Sequence, residues 1–338
     1  MVHYRNAPRC ARNGTFSKFI YFPLGFTNGS NFGKGHNREK NPLPQSRDSL
    51  TPLVPQMTNN LPNDILETVR RALAEDIGGG DITSALLPTD SVGRATLICR
   101  EDAVLCGIPW FDEVFMQLDD RIKIAWEVVD GADIGPNQRV CQITGPAPAM
   151  LTGERTALNF LQTLSGTATL ARKYAMEVRG TKTRVLDTRK TIPGLRTAQK
   201  YAVRQGGCHN HRLGLHDGVL IKENHILAAG SLSAAVQRAR EQNRGIPVEV
   251  EVESLAECRE ALASGADIIL LDNFELVEIE EATRINAGRA KLEVSGGVEL
   301  TALRRLAETG VDYISIGSLT KHVRAVDFSL RFQMQGAL

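Results

Sequence analysis

Residues 248–297, VEVEVESLAECREALASGADIILLDNFELVEIEEATRINAGRAKLEVSGG, set out strand, helix, strand, helix and strand in one unbroken run. Short apolar strands at 248–250, 267–271 and 291–294 alternate with helical patterns over 254–264 and 275–286. The rhythm extends in both directions. Upstream lie strands at 183–186 and 219–221 with helical patterns at 195–204 and 231–242; downstream lie a helix at 299–309 and a strand at 313–316. This recurrence is the period of a parallel βα array. Nearly continuous apolar strands imply burial on both faces, as in a closed or nearly closed barrel. Six strands are fewer than the eight of a complete TIM barrel.

The residues that follow each strand are sorted by chemistry. Asp187, Arg189 and Lys190 follow the first strand, and Lys222, Asn224 and His225 the second. Glu251 ends the third and Asp272-Asn273 the fourth. Ser295-Gly296-Gly297 follow the fifth, and Gly317-Ser318 the sixth. Active sites of βα barrels are assembled at the carboxyl ends of the strands. Ordinary solvated loops would mix Lys, Glu, Ser and Asn without such sorting.

The run from Asp187 to His225 also holds His211 and Arg212, just after Gly206-Gly207. Guanidinium forks suit planar carboxylates, and lysine suits phosphate as a compact charge. The two glycine turns at 295–297 and 317–318 read as a phosphate cradle, where small residues let backbone N–H groups approach oxygens. Glu251 and Asp272 are carboxylates at adjacent strand ends. They suit ribose hydroxyls, Mg²⁺ or a cationic transition state, or they neutralise the basic cluster. Cys208-His209-Asn210-His211, with His216 and His225, is too tightly spaced for the usual zinc pairs. No partner constellation marks Cys208 as a nucleophile.

Charge is divided along the chain. Residues 1–56 carry eight Lys/Arg and two Asp/Glu, so the remainder of this chain of net charge +1 is acidic. An acidic body argues against a nucleic-acid binder, which would show a basic face. The cations at 189–222 therefore point to a small anionic ligand. No apolar run is long enough for a membrane span. The six scattered cysteines read as reduced thiols, which favours the cytoplasm. Residues 1–56, rich in Asn, Gly, Pro and Ser, read as a disordered tail or as sequence upstream of a start at Met57, and less well as an organelle-targeting peptide.

From Leu61 the chain is regular. Residues 63–76 place Ile65, Leu66, Val69 and Leu73 on one helical face, ahead of a turn at Gly78-Gly79-Gly80. Segments 93–106 and 120–145 alternate as strands, with cores at 103–106 and 126–129, and 109–118 reads as a short helix. Residues 148–178 read as a long helical stretch, broken into two near Ser165-Gly166.

On these residues the chain resembles the quinolinate phosphoribosyltransferases, the carboxylating nicotinate-nucleotide pyrophosphorylases. The motifs are EDIGGGDIT (75–83), ERTALNFLQTLSGTAT (154–169), DTRKTIPGLR (187–196), NHRLGLHDGVLIKENH (210–225), VEVEVES (248–254), LLDN (270–273) and SGG (295–297). The motifs come in the family's order, and the resemblance covers 61–334. The resemblance implies an α/β fold of the type II phosphoribosyltransferase kind. An amino-terminal α/β sandwich domain over 57–166 would precede an incomplete, six- to seven-stranded α/β barrel over 167–338, with the last residues packing back on the first domain.

The implied reaction joins quinolinate to phosphoribosyl diphosphate, giving nicotinate mononucleotide, diphosphate and CO₂ for NAD biosynthesis. By resemblance, Arg189, His211 and Arg212 take the carboxylates of quinolinate, and Lys190 and Lys222 also serve phosphates. Lys190, Glu251 and Asp272 are the implied catalytic residues, the acidic pair lying near the ribose and Mg²⁺. Ser295, Gly296, Gly297, Gly317 and Ser318 would bind the ribosyl phosphate. Arg155 would reach a neighbouring subunit's site, implying a homodimer or a dimer-based hexamer. Cys208 departs from a glycine common in relatives. The alternatives are a same-fold paralogue acting on another small aromatic acid, and a non-catalytic phosphate-ligand-binding barrel.

Overall fold

The structure, a computed structural model, describes residues 61–243 and 245–334; the readings of 1–56 and of Met57 lie outside the described residues. The amino-terminal part begins with α1 (Ile65–Ile77), which buries Val69 and Leu73. Leu66, expected on the same face, is instead 61% exposed. The chain continues through β1 (Val92–Cys99), β2 (Ala103–Val104), α2 (Ile108–Leu118), β3 (Lys123–Trp126), β4 (Asp133–Ile134) and β5 (Arg139–Pro146). The strand cores expected at 103–106 and 126–129 are therefore displaced. Only Ala103-Val104 of the first and Trp126 of the second are in strands, because Gly107 and Asp130 are used to start α2. Gly107 takes a left-handed conformation there, and the Asp130 carboxylate accepts from the Gly107 and Ile108 amides at 3.0 and 3.2 Å. A remote aspartate thus does the work of an N-cap.

α3 (Ala147–Glu177) is one continuous helix of 31 residues. The expected break at Ser165-Gly166 does not occur, and both residues have another use. Ser165 is fully buried; its hydroxyl accepts from the Cys106 amide at 2.9 Å and donates to the Cys106 carbonyl at 3.1 Å. Gly166 is where the chain at Arg324-Ala325 crosses the helix, and a Cβ there would fall on the Arg324 carbonyl oxygen. A helical glycine costs about 1 kcal/mol relative to alanine, and here close backbone approach outweighs that preference. Gly166→Ala should accordingly destabilise the protein by roughly 1–3 kcal/mol through overpacking. Thermal unfolding checks this; an alanine variant as stable as the parent would refute the close approach.

The second part holds β6 (Arg184–Leu186), α4 (Arg196–Gln205), β7 (Val219–Ile221), α5 (Glu223–Ala229), α6 (Leu232–Gln242), β8 (Val248–Val252), α7 (Leu255–Ala263), β9 (Ile268–Asp272), α8 (Leu276–Asn286), β10 (Lys291–Ser295), α9 (Leu300–Glu308), β11 (Tyr313–Ser315) and α10 (Ser318–Lys321). All six expected strands form, as one parallel sheet in the order β6-β11-β10-β9-β8-β7. Among the described residues β6 and β7 do not pair with each other. Beside β6 runs a single rung from His209, whose amide donates to the Val185 carbonyl at 2.8 Å and whose carbonyl accepts from the Asp187 amide at 3.0 Å. The barrel is open on that side.

Residues paired in a parallel ladder face the same way. Val248, Val250 and Val252 of β8, Ile269 and Leu271 of β9, and Leu292 and Val294 of β10 join the core against the helices. The register places Arg184, Tyr313, Glu293, Leu270 and Glu251 side by side in one row. Glu249 shares the strand parity of Glu251. The expectation of apolar strands on both faces holds in full for the helix-facing residues only, because several alternate positions, Glu249, Glu251 and Glu293 among them, carry charge. The chain ends, among described residues, in β12 (Phe328–Met334), which pairs antiparallel with β1 and completes the sheet β12-β1-β5-β3. α3 joins both halves, burying Leu161 and Leu164 in one core and Ala171 and Tyr174 in the other. No described helix is long and apolar enough to cross a membrane.

Candidate active site

The loops at the carboxyl ends of the strands are held by a polar anchor absent from the expected site. Asp187, just beyond β6, is fully buried and pairs with Lys200 on α4, itself 2% exposed. The Lys200 ammonium also donates to the His211 carbonyl at 2.9 Å. Asp187 accepts from the Asn210 side chain at 2.6 Å and from the His211 amide at 2.9 Å. Burial pushes the Asp187 carboxyl up and the Lys200 ammonium down, with their mutual attraction only partly opposing it. Such a pair adds little stability over apolar residues but is costly to break. Its product is position: it fastens 210–212 to the end of β6.

The two expected clamp arginines lie on the loops between β6 and β7, close enough for their like charges to interact. Burial, and then the like charge of Arg189, hold the Arg212 guanidinium below its ordinary value. Arg212 donates to the Gly218 carbonyl at 3.0 Å, which leaves most of its fork uncommitted to that bond. The buried Nε of Arg189 has no hydrogen-bond partner. Arg196 secures the loop below them, donating to the Leu213 carbonyl at 3.2 Å and the Thr191 hydroxyl at 3.2 Å. An uncommitted guanidinium fork and an orphaned guanidinium donor are groups suited to an anionic ligand.

His211 points toward two glutamates. Its Nε2 lies 3.1 Å from Glu249 and 3.6 Å from Glu293, while its Nδ1 accepts from the Arg212 amide at 2.7 Å. Burial works against a charged imidazole, but Glu249 and Glu293 outweigh it and raise the His211 pKa. Glu293 is pushed up to about 8 by burial and then by the charge of Glu249. These groups, with Arg212, line a cavity of about 470 Å³.

A second cavity, of about 630 Å³, gathers Lys190, Asp272, Ser295, Gly296, Gly297, Gly317 and Ser318. Seven of the expected site residues thus share one wall. Gly296, at φ 97°, packs against the Asn273 backbone, and a Cβ would lie 2.8 Å from the Asn273 amide nitrogen, so only glycine serves there. Tyr174, Thr188, Lys321 and His322 line the same cavity. The Tyr174 hydroxyl sits 3.3 Å from that of Ser318. Lys222 is ion-paired with Glu251. Arg189, Lys222, Glu251 and Arg155 line neither cavity; Arg155 is exposed on α3.

His225 and Cys208 are accounted for structurally. The His225 ring accepts from the Lys222 amide at 3.0 Å and so caps α5. The Cys208 thiol is buried, touches the Ala171 carbonyl, and is pushed up to about 12 by burial, which removes it as a nucleophile. Sequence reasoning missed Lys200, Asn210, Glu249 and Glu293. The glutamates were signalled by VEVEV and KLEVS, where a charge interrupts a buried strand. Lys200 carries no such signal, because a lysine within a polar helix looks solvated until its neighbours are known.

Comparison with known proteins follows the same division. The family model described as quinolinate phosphoribosyl transferase, N-terminal domain, matches residues 81–165, and that of the C-terminal domain matches 167–331. The chain is 42% identical over 273 residues to a nicotinate-nucleotide pyrophosphorylase [carboxylating] of Mycobacterium leprae, covering 78% of this chain and 95% of the relative. It is 38% identical over 296 residues to a quinolinate phosphoribosyltransferase [decarboxylating] of Nicotiana tabacum named as mitochondrial, covering 81% of this chain and 84% of the relative. The solved nicotinate-nucleotide pyrophosphorylase of Francisella tularensis superposes with a TM-score of 0.79 at 48% identity, over 81% of this chain and 98% of that one.

Proposed function

Because the chain belongs to the quinolinate phosphoribosyl transferase family, we propose that it transfers phosphoribosyl from phosphoribosyl diphosphate to quinolinate with loss of CO₂. The products are nicotinate mononucleotide and diphosphate, in NAD biosynthesis. The observation that carries the assignment is the orphaned guanidinium nitrogen of Arg189 and the largely uncommitted fork of Arg212 on the loops between β6 and β7, alongside a separate glycine-walled cavity. The first suits two ring carboxylates and the second a phosphate.

Arg189 and Arg212 hold the carboxylates, with Lys222 adding positive charge and the His211 ring set beside Arg212. Ser295, Gly296, Gly297, Gly317 and Ser318 hold the ribosyl phosphate, and Lys190 balances its charge. So oriented, the pyridine nitrogen attacks the anomeric carbon while the bond to diphosphate breaks, and Glu251 and Asp272 stabilise the cationic ribosyl centre. The ring nitrogen becomes cationic, so the adjacent carboxylate leaves as CO₂ and the electron pair it leaves behind takes a proton. No side-chain nucleophile is required. Glu251 and Asp272 offer hard oxygen donors at adjacent strand ends and fit Mg²⁺, which would neutralise the diphosphate leaving group. Glu251 is shared with Lys222, so the metal would draw on Asp272 foremost.

Arg155 on the exposed side of α3 suits a role in a neighbouring subunit's site, as a homodimer or a hexamer of dimers. A cytoplasmic location agrees with five described cysteines that are all free and buried. Carboxyl-labelled quinolinate supplies the test. Labelled CO₂ should appear only with phosphoribosyl diphosphate present and should fall at least tenfold with excess chelator. Release without the second substrate, or none with both, would overturn the assignment.

A further inference from the structure

We infer that Glu249 and Glu293 are positioning residues for the carboxylate clamp, acting through the imidazole of His211 on Arg212. The inference rests on the quinolinate reading above. Both carboxylates are at least nine-tenths buried, each has an oxygen without a hydrogen-bond partner, and both face one ring nitrogen. Burial of two such groups is expensive unless something else is gained.

The gain is read from the ring. His211 is held at four points: its amide by Asp187, its carbonyl by Lys200, its Nδ1 by the Arg212 amide, and its Nε2 by Glu249. Since Nδ1 accepts a hydrogen bond, it carries no proton, and the N–H is on Nε2, aimed at the glutamates. That tautomer is the one that lets the ring accept from the Arg212 amide. Without a carboxylate acceptor at Nε2 the ring is free to rotate or to move its proton to Nδ1, and the Arg212 backbone loses its tether. The guanidinium beside Arg189 would then lose its direction.

The same three side chains could be taken for a metal site, since their ligand atoms all lie within 4.8 Å of one another. The ring argues otherwise. A cation at Nε2 would displace the proton that Nδ1's hydrogen bond places there.

Selective ¹⁵N labelling of histidine in the full chain, with His211→Gln for assignment, reads the tautomer without any activity. The expected result is a protonated Nε2 and an unprotonated Nδ1 in the parent, lost in Glu249→Leu. In steady-state kinetics Glu249→Leu should raise the KM for quinolinate roughly tenfold or more, the scale of a lost hydrogen bond to a charged group. The KM for phosphoribosyl diphosphate should stay within about twofold. Glu249→Gln, whose amide oxygen still accepts, should recover most of the loss, and Glu293→Gln should lose far less than Glu293→Leu. An unprotonated Nε2 in the parent, stoichiometric metal by elemental analysis, or equal loss for both substrates in Glu249→Leu would overturn the inference. A parent inactive on quinolinate but showing the expected tautomer would instead overturn the functional reading and leave the positioning of Arg212 standing.

Discussion

Replacing Lys200 by methionine is expected to lower the unfolding free energy by about 3–5 kcal/mol, the cost of leaving one member of a buried ion pair alone. Methionine matches the stem of lysine, so packing is retained and the missing ammonium is what is measured. Asp187 keeps its bonds from Asn210 and the His211 amide but loses its counter-ion in a fully buried setting. It then favours its protonated form still more strongly than in the parent, where burial already raises its pKa. The sign follows from linkage. A carboxyl whose folded pKa lies above its unfolded value makes the folded state bind more protons, so stability falls as pH rises through that window. The deficit of Lys200→Met should therefore be larger at pH 8 than at pH 5. Urea unfolding at both values checks it. A loss under 1 kcal/mol, or one that grows toward acid pH, would show that Lys200 does not neutralise Asp187.

Arg212→Ala should reduce kcat/KM for quinolinate by about 100- to 1000-fold, and Arg189→Ala by a similar factor. This corresponds to roughly 3–4 kcal/mol, within the range for truncating one member of a desolvated charge pair. The two are placed so that burial and Arg189's like charge both act on Arg212. A bound dianion relieves that repulsion, so each guanidinium is worth more with the other present. The double variant should lose less than the product of the single losses. Unfolding midpoints should change little, since removing either cation removes a repulsion. If either single variant turned over quinolinate at the parent rate, the clamp would be assigned to the wrong residues.

The legible parts of this molecule share one property: their signals are local. Each of the six barrel strands lies within a few residues of its place in the apolar pattern, because alternation of short buried strands with amphipathic helices reports burial directly. Lys190, Asp272, Ser295, Gly296, Gly297, Gly317 and Ser318 were legible as strand-end residues, and the parallel sheet brings all seven to one cavity. Signals that depended on a distant partner were misread. Ser165-Gly166 looked like a helix break because nothing nearby shows that Cys106 and Arg324 pack there. Trp126 to Val129 looked like a strand because nothing nearby shows that Asp130 is committed to starting α2.

What the sequence by itself determined is the βα rhythm, the sorting of strand-end residues by chemistry, and the motifs of the family. These rest on periodicity and on side-chain chemistry, which are properties of the chain before it folds. Only the tertiary structure decided that Lys200 anchors Asp187, that His211 turns toward Glu249 and Glu293, and that Lys222 is matched to Glu251. A charge declares its role by what it faces. Those facing groups come from strands and helices tens of residues apart, joined only when the sheet curls into a barrel.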